Sequence, residues 1–415
     1  MSAPILSLPT ELFESVARFA CPRDLLAFRL ASRAVQERTF DVFLDVHFST
    51  YATLLSYEHS LRTLLAISSN VRFARAMKKI IFCTESMRPH MWRAYLPNLD
   101  EDKYHLRSRR RLFRKQKMLR MHNIDIELLA RIFGNLIVIG NIVEVQVAAM
   151  HSDPSRPPLK PWGHHTISTL CDNPRILLDV FGDERPPQVL IRAMALSGFP
   201  VQKLSILHRD WLQTLMRLKY CHDFASASRC VHAGLTHFEM DFHLDGCMGG
   251  LTEEVAYATE VLESASSLQY LAIGTATTPS LRGFRIMPQY DLQRSWRYET
   301  AQHSAIVDWY LQGGITTLRE VKLKGMAIDL EGLCSFAKRN LELRSLHLQG
   351  INLYCGDIAG PFARGAGDEE RQQRETYAKS HIEETTGVED VSLTLCDARN
   401  GEMPPPREDH RLEME

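Results

Sequence analysis

Two eleven-residue stretches, LREVKLKGMAI (318–328) and LRSLHLQGINL (343–353), match position by position. Leu318, Val321, Leu323, Met326 and Ile328 fall at offsets 0, 3, 5, 8 and 10; Leu343, Leu346, Leu348, Ile351 and Leu353 repeat those offsets 25 residues later. Alternation through offsets 3 and 5 describes a short strand with two inward side chains. Between the copies, DLEGLCSFAKRN (329–340) predicts a helix capped by Asp329, with Leu330, Leu333, Phe336 and Ala337 at helical spacing. One such unit cannot bury its apolar face alone, so units have to stack.

The pair resembles the leucine-rich repeat, whose pattern LxxLxL is followed by a further apolar pair. Weaker copies of the 0/3/5 core occur at Met77/Ile80/Phe82, Ile142/Val145/Val147, Val201/Leu204/Ile206, Leu235/Phe238/Met240, Leu268/Leu271/Ile273 and Val388/Val391/Leu393. Helical patterns fall between them at 186–196, 211–233, 252–265 and 301–312. The alternation predicts an α/β fold over residues 46–396, an irregular leucine-rich-repeat-like α/β solenoid, with a conventional α/β domain on a parallel sheet as the alternative. Insertions are expected near 151–165, 274–291 and 360–375, the last opening Gly-rich and turning into a charged helix, and a disordered tail over 397–415. In leucine-rich repeats the solvent-facing strand positions line the concave surface. That implies a substrate-binding face at Glu320, Lys322, Lys324, Ser345, His347 and Gln349, extended by His237, Glu239 and Asp241. It is a mixed polar surface suited to protein recognition, with no Arg cluster for reading phosphate.

The first 45 residues follow another rule. Pro9 suits the first turn of a helix. Leu12, Val16 and Phe19 fall at helical spacing, with Phe13 and Ala17 beside them. Cys21-Pro22 stops that helix, Asp24 reads as the N-cap of a second, LLAFRLAS, and a third segment spans 33–44. Three short helices cannot bury all of these apolar side chains among themselves, so some must face a partner or a neighbouring domain.

The run LPTELFESVARF…DLLAFRLASR resembles the F-box, over roughly residues 5–45. The tryptophan often found in the third F-box helix is absent, and Phe40 is the candidate to take its place. The resemblance implies that this segment binds the Skp adaptor of a cullin–RING ubiquitin ligase. Leu8, Pro9, Leu12, Phe13, Val16, Leu25, Leu26 and Leu30 would then form the docking face or the small core behind it. The expected function is that of a non-catalytic substrate-recognition subunit of such a ligase, with an unidentified protein as target. A repeat scaffold acting outside any ligase is the other expectation.

Composition bears on what is excluded. Lys and Arg number 49 against 50 Asp and Glu, so no global charge favours nucleic acid or membrane. Nine cysteines without a CxxC pair read as reduced thiols in an intracellular protein, cytoplasmic or nuclear. The most apolar stretch, 126–147, carries Glu127, Arg131 and Glu144 and reads as a buried helix-to-strand passage rather than a membrane span. The sharpest charge feature is RSRRRLFRKQK (107–117), seven of eleven residues basic. It reads as a solvated helix or loop face, as a nuclear-import signal, or as a patch for an acidic or phosphorylated partner. His164, His165 and Cys171, like Cys221, His222, Cys230 and His232, lack a zinc spacing. No GxSxG, phosphate-binding loop or dinucleotide fingerprint is present, so neither cofactor nor catalytic constellation is expected.

Overall fold

The computed structural model describes residues 7–84, 103–148, 185–207, 222–242, 264–275, 316–325, 327–354 and 368–395. They belong to two compact units, one built mainly from residues up to Met240 and the other mainly from Leu268 onward. The expected insertion at 151–165, the tail, and the helices expected at 252–265 and 301–312 lie essentially outside the described residues.

The first unit begins with α1 (Thr10–Phe19), α2 (Pro22–Ala31), α3 (Arg33–Arg38) and α4 (Phe40–Phe48). Three details differ from the sequence expectation. Pro9 is the residue before α1, its carbonyl accepting from the Phe13 amide at 3.0 Å. Cys21, not Asp24, caps α2: its Sγ accepts from the Asp24 amide at 3.4 Å, because Pro22 already holds the helical φ one turn earlier. The third segment divides at Thr39, whose hydroxyl turns back onto the Val35 carbonyl at 2.7 Å.

Strands and helices then alternate: β1 (Thr50–Leu54), α5 (Glu58–Ser68), α6 (Val71–Ala76), β2 (Lys79–Cys83), α7 (Lys103–Met121), α8 (Ile124–Ile139), β3 (Glu144–Ala148), α9 (Arg185–Ser197), β4 (Lys203–Leu207), α10 (His222–His232) and β5 (His237–Phe242). Strands β1 to β5 are neighbours in chain order, and β1 to β4 pair parallel. The registers stack the inward positions. Tyr51, Ile80, Val145 and Leu204 form one row, and Thr53, Phe82, Val147 and Ile206 the next. Each buried aliphatic side chain in such a row contributes about 1.5–3 kcal/mol. Helices pack in the same order: α5 on α8, α8 on α9, α9 on α10. Phe133 of α8 joins the helix row to the strands, 6.2 Å from the Phe82 ring and 4.9 Å from Phe199. The stretch 126–147 is the helix-to-strand passage expected, turned at Gly140 in the left-handed region.

The second unit holds β6 (Tyr270–Thr275), β7 (Glu320–Lys324), β8 (Ala327–Asp329), α11 (Leu330–Arg339), β9 (Ser345–Tyr354), α12 (Asp368–Thr386) and β10 (Asp390–Leu395). Its strands β6, β7, β9 and β10 are parallel in chain order, and β8 pairs with the far end of β9. Leu271, Val321, Leu346 and Val391 make one row; Ile273, Leu323, Leu348 and Leu393 make the second. Asp329 caps α11 as expected, accepting from the Gly332 amide at 2.9 Å. The charged helix foreseen beyond residue 360 is α12.

All six weaker copies of the pattern coincide with strands. At one of them the offset-0 residue is misplaced: Ile142 is exposed, and Val143 takes the buried position. A further copy, Phe48/Tyr51/Thr53, underlies β1. The protein is therefore a mixed α/β structure built on parallel strands in sequential order.

The two clear copies share one more feature. Gly325 and Gly350, both at offset 7, have φ of +68° and +59° and turn the chain from the first strand segment into the second. A Cβ at Gly350 would meet nothing within 4 Å. Gly350→Ala therefore isolates the cost of the left-handed backbone. It is expected to lower the unfolding free energy of the second unit by about 1–2 kcal/mol, read by chemical denaturation; an unchanged midpoint would show that the turn relaxes.

Candidate functional site

Two surfaces carry the residues singled out by the sequence. The first lies on α1 and α2. Phe13, Ala17 and Leu25 are fully buried; Ala17 and Leu25 join Val42 in a small core, and the Phe13 ring stacks on Phe28 at 5.4 Å. Leu12, Val16 and Leu26 remain about half exposed, Phe19 is 92% exposed and Leu30 88%. Leu8 is half-buried and Pro9 exposed. The eight predicted residues thus separate: Phe13 and Leu25 form the core, Leu8 lies half-buried, and Pro9, Leu12, Val16, Leu26 and Leu30 face outward. On α1 the outward set, with Phe19, runs i, i+4, i+7, one stripe away from the buried Phe13 and Ala17. Together these exposed apolar residues form a stripe that nothing in the described chain covers.

What holds this surface was not legible in the sequence. Arg29 is buried inside the helical cluster, donating from Nη1 to the Gln36 carbonyl at 3.0 Å and to the Thr39 hydroxyl at 3.3 Å. Its guanidinium lies 4.1 Å from the Phe43 ring centre and 5.3 Å from that of Phe40. Burial lowers its pKa from the ordinary value. Arg38 ties the start of α1 to α3, donating to the Leu8 carbonyl at 3.1 Å. Helix α4 continues to Phe48, whose ring stacks on Tyr51 of β1 and meets Phe73 edge-on at 4.7 Å. Salt bridges Asp41–Arg72 at 3.1 Å and Asp45–Lys78 at 2.7 Å reinforce the junction. Phe40 also meets Phe73, edge-on at 5.8 Å, so it belongs to that junction.

The second surface is the open face of β7, β9 and β10. Lys322, Lys324 and Gln349 are exposed; Glu320, Ser345 and His347 are half-buried. Register places Glu320 beside Ser345, Lys322 beside His347, and Lys324 beside Gln349. Glu320 is the hub. Its Oε1 lies 2.9 Å from Lys322 Nζ and 3.7 Å from His347 Nε2. His347 Nδ1 is 2.7 Å from the Ser392 hydroxyl, and Lys322 Nζ lies over the Tyr270 ring at 5.3 Å. The hydrogen bond to Glu320 raises the Lys322 pKa, so its charge is kept. Ser392 and Tyr270 join this face without having been predicted. Glu239 accepts from the Ser205 hydroxyl at 3.0 Å on the first unit; the Asp241 side chain lies outside the described residues.

Among the described residues no three His, Cys, Asp or Glu side chains gather in a way that could hold a metal ion. Cys230 is exposed, whereas His232 is fully buried against Phe238. Its Nδ1 donates to the Ser228 carbonyl at 2.7 Å, and Nε2 is buried without a hydrogen-bond partner. His164, His165, Cys171 and Cys221 lie outside the described residues. Among the described residues no helix is long and apolar enough to cross a membrane. No protein-family model matches the chain, and comparison with curated proteins and with solved structures found no match.

Burial pushes the His232 pKa down to about 4 from 6.5, since a charge there would be unsolvated. Above pH 6.5 the ring is neutral folded or unfolded. Between pH 6.5 and 4 only the unfolded chain takes the proton, and the fold loses about 3 kcal/mol. His232→Phe should abolish that component: the difference between wild-type and variant unfolding free energies should shift by about 3 kcal/mol between pH 7 and 4. Parallel curves would place a solvated or charged imidazole at this position.

Proposed function

We propose that this chain is the substrate-recognition subunit of an SCF (Skp–cullin–F-box) ubiquitin ligase, with α1 and α2 docking on the Skp adaptor. The observation that carries this reading is the division within α1 and α2. Phe13 and Leu25 close a core, while Leu12, Val16, Phe19, Leu26 and Leu30 are left to water. An uncovered apolar stripe on a helical unit whose sequence resembles the F-box is accounted for by an adaptor that completes it. The finer architecture that goes with the proposal is a run of leucine-rich-repeat-like units in an irregular solenoid. Supporting it are strands in chain order, inward rows in register, and helices packed in the same sequence.

The mechanism is proximity. The adaptor-bound helices fix one end of the chain, the polar strand face around Glu320, Lys322 and His347 holds a protein target, and a target lysine is kept near the ubiquitin-loaded enzyme. Effective concentration and orientation supply the rate, and no residue of this chain takes part in bond making. A leucine-rich-repeat interaction scaffold acting outside any ligase is supported by the strand face alone. It leaves the apolar stripe of α1 and α2 without a role.

Leu12→Asp with Leu26→Asp alters two outward residues and leaves Phe13 and Leu25 in place. The double variant is expected to keep the wild-type circular dichroism spectrum and to lose co-purification with a Skp adaptor. Undiminished adaptor capture would remove the basis of the proposal.

A further inference from the structure

Helix α7 sits in the connection from β2 to β3, and the ligase reading gives it no task. Its inner side is fixed. Leu112, Gln116 and Leu119 are buried, and the helix packs against α5 and α8. Gln116 donates from Nε2 to the Ser56 hydroxyl at 3.3 Å. Arg111, Arg114, Lys115 and Lys117 are all exposed, as are Met118 and Met121. Arg111, Arg114, Lys115 and Met118 follow one another at offsets 0, 3, 4 and 7, a single stripe that flanks the buried one.

Among the described residues nothing compensates the charge of this face. The helix sequence from Lys103 to Met121 contains nine basic residues and no acidic one. Among the described residues, Arg111, Arg114, Lys115 and Lys117 form no ion pair or hydrogen bond through their side chains. The nearest acids in the sequence lie outside the helix: Asp100, Glu101 and Asp102 before it, about 12 Å back along the axis from Arg111 at the helical rise, and Asp125, which is buried, and Glu127 after it. In a chain with a net charge of −1 such a concentration is local, not a consequence of composition. Like charges one turn apart, such as Arg111 and Lys115, work against the helix. A bound anionic partner would remove that repulsion.

We propose that the outer face of α7 is a docking surface for an acidic protein segment that also carries apolar side chains. Charge complementarity sets the sign of the partner. Met118 and Met121, exposed within the basic stripe, set its second property, since methionine offers an adaptable apolar contact beside the cations. No described aromatic side chain lies on the outer stripe between Arg111 and Met121, so a stack of bare bases finds no platform there. A nuclear-import signal read in extended form would require α7 to unwind and expose Leu112 and Leu119.

The test uses the full chain and a fluorescein-labelled 20-residue peptide with Glu on one helical face and Leu on the other, followed by anisotropy. A 20-nucleotide single-stranded oligonucleotide serves as the competing polyanion. Saturable peptide binding is expected to weaken as salt rises. It should fall about tenfold or more in the variant Arg111→Gln, Arg114→Gln, Lys115→Gln, Lys117→Gln, and survive in Arg111→Lys, Arg114→Lys. The four sites are exposed, so the Gln variant should melt no lower than wild type. If it does, Met118→Ser with Met121→Ser must weaken the peptide while sparing the oligonucleotide. Absence of peptide binding at micromolar concentration, equal binding by the Gln variant, or tighter binding of the oligonucleotide would overturn the proposal.

Discussion

A five-residue strand with two inward side chains gains too little from its own burial to offset the entropy of ordering it. Each strand of this protein therefore depends on the one beside it. Ile80 gains a floor only because Tyr51 and Val145 flank it in register, and Val321 only because Leu271 and Leu346 do. A slip of one residue would turn Ile80 and Phe82 outward and bring Lys79 in. The helices inherit that order. Phe133 of α8 reaches Phe82 on the strand side and Phe199 on the other, so the row of helices and the row of strands fix each other.

The same dependence reaches the N-terminal helices. Phe48 stacks on Tyr51, which begins the first inward row, and Phe40 and Phe48 both close on Phe73. The helices end in the same aromatic cluster from which the strands begin. Arg29, held among Phe40, Phe43, Gln36 and Thr39, extends the small apolar core of Ala17, Leu25 and Val42 with cation–π contacts and hydrogen bonds. The consequence is a surface on which Leu12, Val16, Phe19, Leu26 and Leu30 can stay in water without loss of the fold. On the proposed reading that surface is the adaptor's. The polar face around Glu320 would then be the target's.

The periodic part of this arrangement was open to sequence reasoning because period and packing coincide. Leucine-type residues at offsets 0, 3 and 5 marked β2 to β7, β9 and β10. Strand β1 escaped because Thr53 stands where the pattern wants an aliphatic; its hydroxyl is buried at 2.8 Å from the Ser60 Oγ, a satisfaction supplied by tertiary structure alone. The split at Thr39 and the cap at Cys21 escaped for a similar reason, since each rests on one local hydrogen bond that composition does not signal. At the candidate surfaces the apolar residues of α1 and α2 were visible, but not which of them turn inward: Leu12 and Phe13 are adjacent and equally apolar. Tyr270 and Ser392 were missed because a strand face is assembled across neighbours tens of residues away in the chain.

Hydrogen–deuterium exchange of the full chain, with and without a purified Skp adaptor, tests the central claim most directly. Slower exchange on adaptor addition is expected in α1 and α2, Thr10 to Ala31, with the strands from β1 to β10 unchanged. Exchange in α1 and α2 that is the same with and without saturating adaptor would contradict it.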